Sequence, residues 1–299
     1  MSPRILGPAP CALMERAYAK LNISLDVLSK RPDGYHDMRM VMQSVSLCDD
    51  VTVTLRNDGE VKVATNLRFL PGDDRNIAAK AARAFFVLLG RDDLGVDIVI
   101  HKRIPVCAGM GGGSSDGAAV LRALNTLTGK PFTRAELEQA GAALGSDIPF
   151  CVAGGTALAE GRGEILSDLP DFPDCCFVIV KPKFSVSTPE LFAKMDLVSV
   201  KYHPDTQGIL TSVKSGDLKG ICRRMYNVFE DVLPAKPNDV RKIKSALLDC
   251  GALGAVMTGT GSAVFGIFDD LEKAEHAQVL LSQRYREVFF AQKQGPLDI

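Results

Sequence analysis

The sequence lacks most features that mark metal, redox, membrane or nucleic-acid-binding proteins. Its eight cysteines include no CxxC pair, and its four histidines stand far apart, so neither set has metal-ligand spacing. The formal net charge of −1 gives no general attraction to nucleic acid or to an anionic membrane. No apolar run is long enough to span a bilayer, and Pro and Gly interrupt the N-terminal segment where a signal peptide would need an apolar stretch.

These absences favour a cytoplasmic protein whose thiols are reduced and mostly buried. The chain has 299 residues, of which 46% are hydrophobic and 24% are charged. That length and composition suit two modest domains with a substantial core. Because the net charge is close to zero, local groups must hold any anionic ligand.

Strand and helix patterns are mixed without a regular alternation, which favours an α+β fold. Apolar and polar residues alternate over 21–27, which predicts a half-buried strand with Lys20 and Asn22 on its polar face. An alanine-rich stretch that ends at Gly90 predicts a helix. The Pro- and Asp-rich segment 170–176 is typical of a linker, so we expect an N-terminal domain over residues 1–168 and a C-terminal domain over 169–299.

Glycine is concentrated in "IPVCAGMGGGSSDGAAVLRALN", residues 104–125, between a predicted strand and a predicted helix. The segment is not a P-loop, because no lysine follows the glycines, and Ser114 stands where the dinucleotide fingerprint needs its third glycine. Glycines nevertheless let backbone N–H groups approach an anion, and the helix N-terminus and the hydroxyls of Ser114 and Ser115 add donors. The pattern predicts a phosphate site; the alternative is a tight strand-to-helix connection that holds nothing.

The stretch "PVCAGMGGGSSDGAA" resembles the central motif of the GHMP kinases, which bind ATP through such a loop. Three further stretches are similar to that family: "AYAKLNISLDVLSKRPDGYHDM", "LGSDIPF" followed by "GGTALAEGRGE", and "VMTGTGSAVFGIF". The resemblance runs in order from about Tyr18 to Phe268. It departs from the family pattern at Asp116, where the family usually has Asn, at Met110, where it usually has Leu, and in the loosely matching "MVMQSVSL".

The resemblance implies a two-domain fold, with an N-terminal nucleotide-binding domain like domain 2 of ribosomal protein S5 and a ferredoxin-like α+β C-terminal domain. It also implies ATP as co-substrate and Mg²⁺, which ATP phosphoryl transfer needs. Ser115 and Asp116 are weak candidates for metal ligands. The residues that the resemblance assigns to nucleotide binding are Lys102, Pro105, Val106, Cys107, Ala108, Gly109, Met110, Gly111, Gly112, Gly113, Ser114 and Ser115. For Lys102, an ordinary surface lysine is the alternative.

Lys20 and Asp147 form the catalytic pair that the resemblance implies. Asp147 would accept the proton of the substrate hydroxyl, and Lys20 would favour the ionised carboxylate and stabilise the alkoxide. Without the resemblance, a helix N-cap would be the simpler reading of Asp147, and a solvated strand face that of Lys20. The turn "TGTGS", residues 258–262, could bring backbone N–H groups to this site, or it could be a plain hairpin turn.

Five residues are expected to bind the acceptor substrate through the resemblance. They are Asn22, Tyr35, His36, Thr188 and Phe192. The "DGYH" loop would meet a cytidine group, and Phe192 would stack on the base; an ordinary core position is the alternative for Phe192.

The function that the resemblance implies is ATP-dependent phosphorylation of the 2-hydroxyl of 4-diphosphocytidyl-2-C-methyl-D-erythritol, in non-mevalonate isoprenoid biosynthesis. One alternative is a GHMP kinase for homoserine, mevalonate or a sugar; the "RPDGYH" loop and Phe192 argue against it, because a small substrate has no base to stack. The other is a non-catalytic nucleotide-binding protein on the same fold, which the presence of both Lys20 and Asp147 disfavours. No partner beyond the small-molecule substrate is expected.

Overall fold

The computed structural model describes residues 12–198, 200–233 and 238–299. Within these ranges the chain forms strands and helices in mixed order, as expected for an α+β protein. The strands are β1 (Ala12–Lys30), β2 (His36–Arg56), β3 (Val61–Thr65), β4 (Gly95–His101), β5 (Thr156–Gly161), β6 (Ile165–Asp168), β7 (Cys176–Lys181), β8 (Tyr226–Asn227), β9 (Gly254–Met257), β10 (Val264–Phe268) and β11 (Glu287–Gln292). The helices are α1 (Ile77–Leu89), α2 (Gly112–Leu127), α3 (Arg134–Ala142), α4 (Ile148–Ala153), α5 (Thr188–Met195), α6 (Thr206–Ser215), α7 (Leu218–Cys222), the 3₁₀ helix Val228–Val232, α8 (Asn238–Asp249) and α9 (Leu271–Ser282).

The first sheet is built on the long antiparallel hairpin of β1 and β2. Its strand order is β3-β4-β2-β1-β8, and β5 pairs with the free part of β2 and carries β6 at the edge. The hairpin turns through the predicted loop, where Gly34 has a φ of +85° and Arg31 N–H donates to the Tyr35 carbonyl at 2.7 Å. Helices α1 and α2 pack against each other and cover this sheet. The glycine loop leads from the end of β4 into α2, so the topology places it over the hairpin.

Strand β1 is buried on both faces over residues 19–27, so the prediction of a half-buried strand there was wrong. Lys20 and Asn22 on its polar face are 3% and 0% exposed. The reason is tertiary: Asn22 N–H donates to Thr258 Oγ1 at 3.0 Å, and Asp26 lies 2.8 Å from His203 Nδ1. Later parts of the chain therefore cover the face that the alternation assigned to solvent.

Local end signals produced the predicted helix boundaries. Helix α1 begins after Asn76, whose side chain accepts from the Ala78 N–H, and ends at Gly90 in the left-handed conformation. Helix α3 begins with a capping box between Thr133 and Glu136. Helix α2 begins at Gly112, within the run of glycines, and the short elements β3, α6, α7 and β8 were not predicted.

The second sheet has the order β11-β7-β10-β9 and is antiparallel throughout. Numbered by sequence within this part of the chain, that order is 4-1-3-2, which confirms the expected ferredoxin-like arrangement. Helix α8 lies between its first two strands and α9 between its last two. Within the described ranges, no helix is both long and apolar enough to cross a membrane.

The C-terminal part of the chain returns twice to the first sheet. Strand β8 pairs in parallel with β1. After β11, the tail runs along the N-terminal part, where Pro296 bridges Gly154 and the Leu297 N–H donates to the Ala153 carbonyl at 2.9 Å. The boundary between residues 168 and 169 stays a prediction; β6 ends at Asp168 and β7 begins at Cys176.

Candidate active site

The glycine loop lines a cavity of about 330 Å³ at the N-terminus of α2. Gly109 and Gly111 have φ values of +75° and +69°, which glycine adopts at little cost, and Gly111 is the N-cap of the helix. Every residue predicted to bind nucleotide lines this cavity except Ser115. The opposite wall contains Leu70, Pro71, Arg75, Asn76 and Ile77, which the sequence analysis missed. The start of an alanine-rich helix gave no signal that it faced a cavity.

Lys102 is buried in a triad with two aspartates rather than lying on the surface. Its Nζ lies 2.5 Å from Asp49 Oδ2 and 2.7 Å from Asp116 Oδ2. Burial by itself would lower the pKa of Lys102, but the carboxylates of Asp116 and Asp49 raise it overall. Burial raises the pKa of Asp116 to about 7, although Lys102 opposes that shift. The Lys102 ammonium therefore lies at the wall of the cavity, paired with Asp49 and Asp116.

Asp49 is a structural partner that the sequence did not reveal. It is fully buried, and its Oδ1 accepts from the Ile104 N–H at 2.8 Å at the start of the glycine loop. Nothing in "LCDDV" distinguishes it from its neighbour Asp50, which forms an ion pair with Arg103 at the surface.

Ser115 does not fit the role of a magnesium ligand, and Asp116 has one carboxylate oxygen engaged and one, the buried Oδ1, without a partner among the described residues. The Ser115 hydroxyl donates to the Tyr18 carbonyl at 2.7 Å, and the Ser115 side chain is buried behind the loop. Asp116 Oδ2 accepts from Lys102, so a cation already occupies that side of its carboxylate. Among the described residues, no group of three or more His, Cys, Asp or Glu side chains could hold a metal ion.

Lys20 and Asp147 lie side by side next to the glycine loop. Lys20 Nζ is 3.4 Å from Asp147 Oδ2, and the Asp147 side chain keeps 30% of its surface exposed while Lys20 is enclosed. Asp147 occupies the N-cap position of α4 but makes no capping hydrogen bond, so its carboxylate is free for other partners. A methyl group added at Gly111 would lie 3.1 Å from Lys20 Cγ and 3.8 Å from Asp147 Oδ2. Strand β1, the glycine loop and the start of α4 thus come together beside Gly111.

Asn22 connects this pair to the C-terminal part of the chain. Its Oδ1 accepts from Lys20 Nζ at 2.7 Å and from the Gly259 N–H at 2.9 Å. The "TGTGS" turn therefore brings a backbone N–H to the site, as the sequence suggested, but it points that N–H at Asn22. Asn22 is fully buried, so it holds Lys20 in place and presents no exposed surface.

Three of the residues expected to bind the acceptor substrate, Tyr35, His36 and Phe192, form a second cluster at the end of the β1–β2 hairpin, whereas Thr188 contacts the "TGTGS" turn. The rings of His36 and Phe192 are stacked with centroids 4.8 Å apart and planes inclined by 25°. Tyr35 is 55% exposed, and the guanidinium of Arg162 lies 5.0 Å from its ring centroid. Thr188 begins α5, where its hydroxyl is 2.9 Å from that of Thr260.

Asp196 belongs to this cluster and was missed by the sequence analysis. His36 Nε2 lies 2.7 Å from Asp196 Oδ1, and Lys30 Nζ lies 2.5 Å from Asp196 Oδ2. Hydrogen bonds from Lys30 and then from His36 lower the pKa of Asp196, so it is an ionised acceptor. Its position four residues after Phe192 was the one available signal, because that spacing puts both side chains on one face of α5.

The fold and this geometry define a small-molecule kinase of one family. The family model described as "GHMP kinases N terminal domain" matches residues 76–155, and the one described as "GHMP kinases C terminal" matches residues 209–287. The chain belongs to the GHMP kinase family and is an ATP-dependent kinase. The N-terminal match contains the whole glycine loop and Asp147.

Curated proteins similar to this chain share one name within the family. A Clostridium botulinum protein named 4-diphosphocytidyl-2-C-methyl-D-erythritol kinase is 42% identical over 274 residues, which cover 92% of this chain and 97% of that protein. A Brevibacillus brevis protein of the same name is 42% identical over 283 residues, with 94% and 96% covered.

Solved structures of kinases have the same fold as this chain. One described as 4-(cytidine 5'-diphospho)-2C-methyl-D-erythritol kinase has a TM-score of 0.78 at 28% identity and covers 95% of this chain and 100% of its own. A homoserine kinase from Cytophaga hutchinsonii has a TM-score of 0.77 at 19% identity, with 99% and 100% covered, which shows the shared fold alone.

Proposed function

We propose that this enzyme transfers the γ-phosphoryl group of ATP to the 2-hydroxyl of 4-diphosphocytidyl-2-C-methyl-D-erythritol. The products are the 2-phosphate and ADP, and the reaction belongs to non-mevalonate isoprenoid biosynthesis. The shared name of relatives that are 40–42% identical over more than nine-tenths of the chain supports this substrate.

The observation that carries the proposal is the contact of the glycine loop with the Lys20–Asp147 pair. A phosphate held by the loop's N–H groups would have a carboxylate and an ammonium beside it, which is what transfer to an alcohol needs. Asp147 is free of capping bonds and partly exposed, so it can accept the hydroxyl proton. Lys20 neutralises the negative charge that develops on the attacking oxygen.

ATP binds in the cavity of the glycine loop, with its phosphates toward the N-terminus of α2. Mg²⁺ would supply charge neutralisation of those phosphates, and the proposal is that it enters as their complex, because Ser115 is engaged elsewhere and Asp116 Oδ2 accepts from Lys102. No residue of the triad below the loop is assigned to the metal. Lys102 lines the same cavity, so it stays among the residues proposed to bind the nucleotide, with Asp49 and Asp116 holding its ammonium group in place.

The cytidine end of the substrate is assigned to the cluster at the hairpin end. Tyr35 offers an exposed aromatic face, and the stacked His36 and Phe192 offer a polar edge beside an apolar face. Thr188, the first residue of α5, is proposed to contact the substrate beside Thr260 of the "TGTGS" turn. Asn22 contributes through Lys20, which it holds in place.

The proposed compartment is the cytoplasm. The cysteines in the described ranges, seven in number, are all free thiols, as a reducing compartment would leave them.

Release of ADP from MgATP tests the proposal. The cytidine substrate is compared with mevalonate, homoserine and galactose, and Asp147→Ala serves as the control protein. Turnover with the cytidine substrate, lost in Asp147→Ala while ATP still binds by calorimetry, is the expected result. Turnover of another alcohol would contradict the substrate assignment, and ATP binding without any turnover would favour the non-catalytic alternative.

A further inference from the structure

Asn227 is a buried amide that holds the "TGTGS" turn in place. Its Nδ2 donates to the Met257 and Gly259 carbonyls, both at 2.8 Å, and its Oδ1 accepts from the Phe229 N–H at 3.0 Å. Asn227 is 1% exposed, so water cannot replace these bonds. A flipped amide would set its oxygen against two carbonyl oxygens, so the orientation of the Asn227 side chain is determined.

The backbone of Asn227 belongs to the sheet that carries Lys20. Strand β8 pairs in parallel with β1, with Asn227 opposite Leu25. Glu230, in the 3₁₀ helix that follows, adds a second bond to the start of the turn, because its Oε1 accepts from the Met257 N–H at 2.8 Å. This segment therefore ties the turn to the strand on which Lys20 stands.

The two carbonyls that Asn227 holds lie on either side of one peptide group of the turn. That group joins Thr258 to Gly259, and its N–H is the one that donates to Asn22 Oδ1 at 2.9 Å. Its carbonyl accepts from the Gly261 N–H at 3.0 Å. Because Asn227 fixes the planar peptide groups before and after it, the direction of the Gly259 N–H is fixed as well.

Asn22 passes this constraint on to Lys20. The amide oxygen of Asn22 has two lone pairs, and the Gly259 N–H and the Lys20 ammonium take one each, at 2.9 and 2.7 Å. The Thr258 hydroxyl is farther from the same oxygen, at 3.4 Å, and has the Gly109 carbonyl as a second acceptor at 3.2 Å. If the Gly259 N–H turned away, the buried Asn22 side chain would lose one of its two good donors and Lys20 would lose a fixed acceptor.

We infer that Asn227 is a positioning residue for Lys20 that acts through the Gly259 peptide group and Asn22. The inference rests on the proposed function, because it takes Lys20 to be the cation beside the reacting oxygen. Asn227 is buried and both of its amide N–H groups are engaged, so it affects the reaction only through the groups that it holds. A displacement of about 1 Å at a catalytic group can lower a rate about 100-fold, which sets the expected scale.

The test measures kcat and KM of Asn227→Asp with MgATP and the cytidine substrate. Aspartate has the size of asparagine and keeps the acceptor for the Phe229 N–H, but it sets a carboxylate oxygen against the two carbonyls. We expect kcat to fall about 10- to 100-fold while KM for ATP stays within about threefold of the wild-type value. Asn227→Ser, whose hydroxyl can donate to one carbonyl only, should show the same pattern and replaces Asn227→Asp if that variant does not fold.

Asn125→Asp is the matched control for lost stability. Asn125 is also 1% exposed, and its side chain donates to the Phe132 carbonyl and accepts from the Phe132 N–H, both at 3.0 Å. It lies in the last turn of α2, about 20 Å along the helix from the glycine loop. This variant should unfold at a lower urea concentration than the wild type, as Asn227→Asp should, but it should keep the wild-type kcat.

A double-mutant cycle with Lys20→Met separates the positioning of Lys20 from a general effect on the site. If Asn227 acts through Lys20, Asn227→Asp should change kcat by less than about twofold once Lys20 has been replaced. The same fold-loss in both backgrounds, a control that loses as much kcat as Asn227→Asp, or a change confined to KM for ATP would overturn the inference and leave the proposed function standing. A wild-type enzyme that fails on the cytidine substrate, or Lys20→Met with the wild-type kcat, would instead remove the proposed function or its assignment of Lys20, and this inference with it.

Discussion

Replacing Gly109 by alanine should break the contact between the glycine loop and the C-terminal "TGTGS" turn. Gly109 has a φ of +75°, and a Cβ at this position would lie 2.2 Å from the Thr258 carbonyl oxygen and 3.0 Å from the Gly261 nitrogen. Both neighbours are backbone atoms, so no side chain can rotate away. The two turns must separate.

The cost follows from the contacts that separation removes. The left-handed conformation costs an alanine about 1–2 kcal/mol. The bond from Thr258 Oγ1 to the Gly109 carbonyl at 3.2 Å and the one from the Ala263 N–H to the Ala108 carbonyl at 3.1 Å would be lost, at about 1 kcal/mol each. We therefore expect Gly109→Ala to lower the free energy of unfolding by about 3–4 kcal/mol, a large part of the ~5–15 kcal/mol typical of a folded protein.

Urea titration followed by circular dichroism measures this loss. Gly113→Ala is the control, because Gly113 lies in the first turn of α2 without a positive φ, and its added methyl would meet the flexible end of Ile77 at 3.3 Å. That variant should unfold within about 1 kcal/mol of the wild type. If Gly109→Ala unfolds at the wild-type urea concentration, the close approach of the two turns is not a constraint and the reasoning is refuted.

Three further changes test the site and its supports. Asp147→Asn should lower kcat by about 100-fold or more in the ADP-release assay with little change in KM for ATP, and a wild-type kcat would exclude Asp147 as the base. Because folded Asp116, with a pKa of about 7, keeps a proton that the unfolded chain loses near pH 4, the free energy of unfolding should fall by up to about 1.4 kcal/mol per unit as the pH rises from about 5 to 7. Urea titrations across that range should show a flatter dependence in Asp116→Asn, and equal slopes would contradict the shift. Truncation after residue 293 removes the bond from Leu297 to the Ala153 carbonyl, so urea titration should show a loss of about 1–2 kcal/mol, whereas unchanged stability would show that the tail contributes nothing.

Local signals in the sequence determined most of the elements. Asn76 and Gly90 delimit α1 because a side-chain acceptor and a left-handed glycine satisfy the ends of a helix within a few residues. The glycine loop was recognised for the same reason: its backbone conformation needs glycine at Gly109 and Gly111 whatever the rest of the chain does. The resemblance added the family, the kinase activity and the choice of Lys20 and Asp147 as a pair.

Tertiary packing decided what the polar side chains of the site contact. Lys20, Asn22 and Lys102 read locally as strand or loop residues facing water. Lys102 is nevertheless buried against Asp116, 14 positions away, and Asn22 against Gly259, 237 positions away. Asp196 looked like an ordinary helix-end residue until α5 packed against His36. A sequence specifies its turns and helix ends through neighbours along the chain, whereas a buried charge is defined by the group that compensates it, and only the folded chain brings the two together.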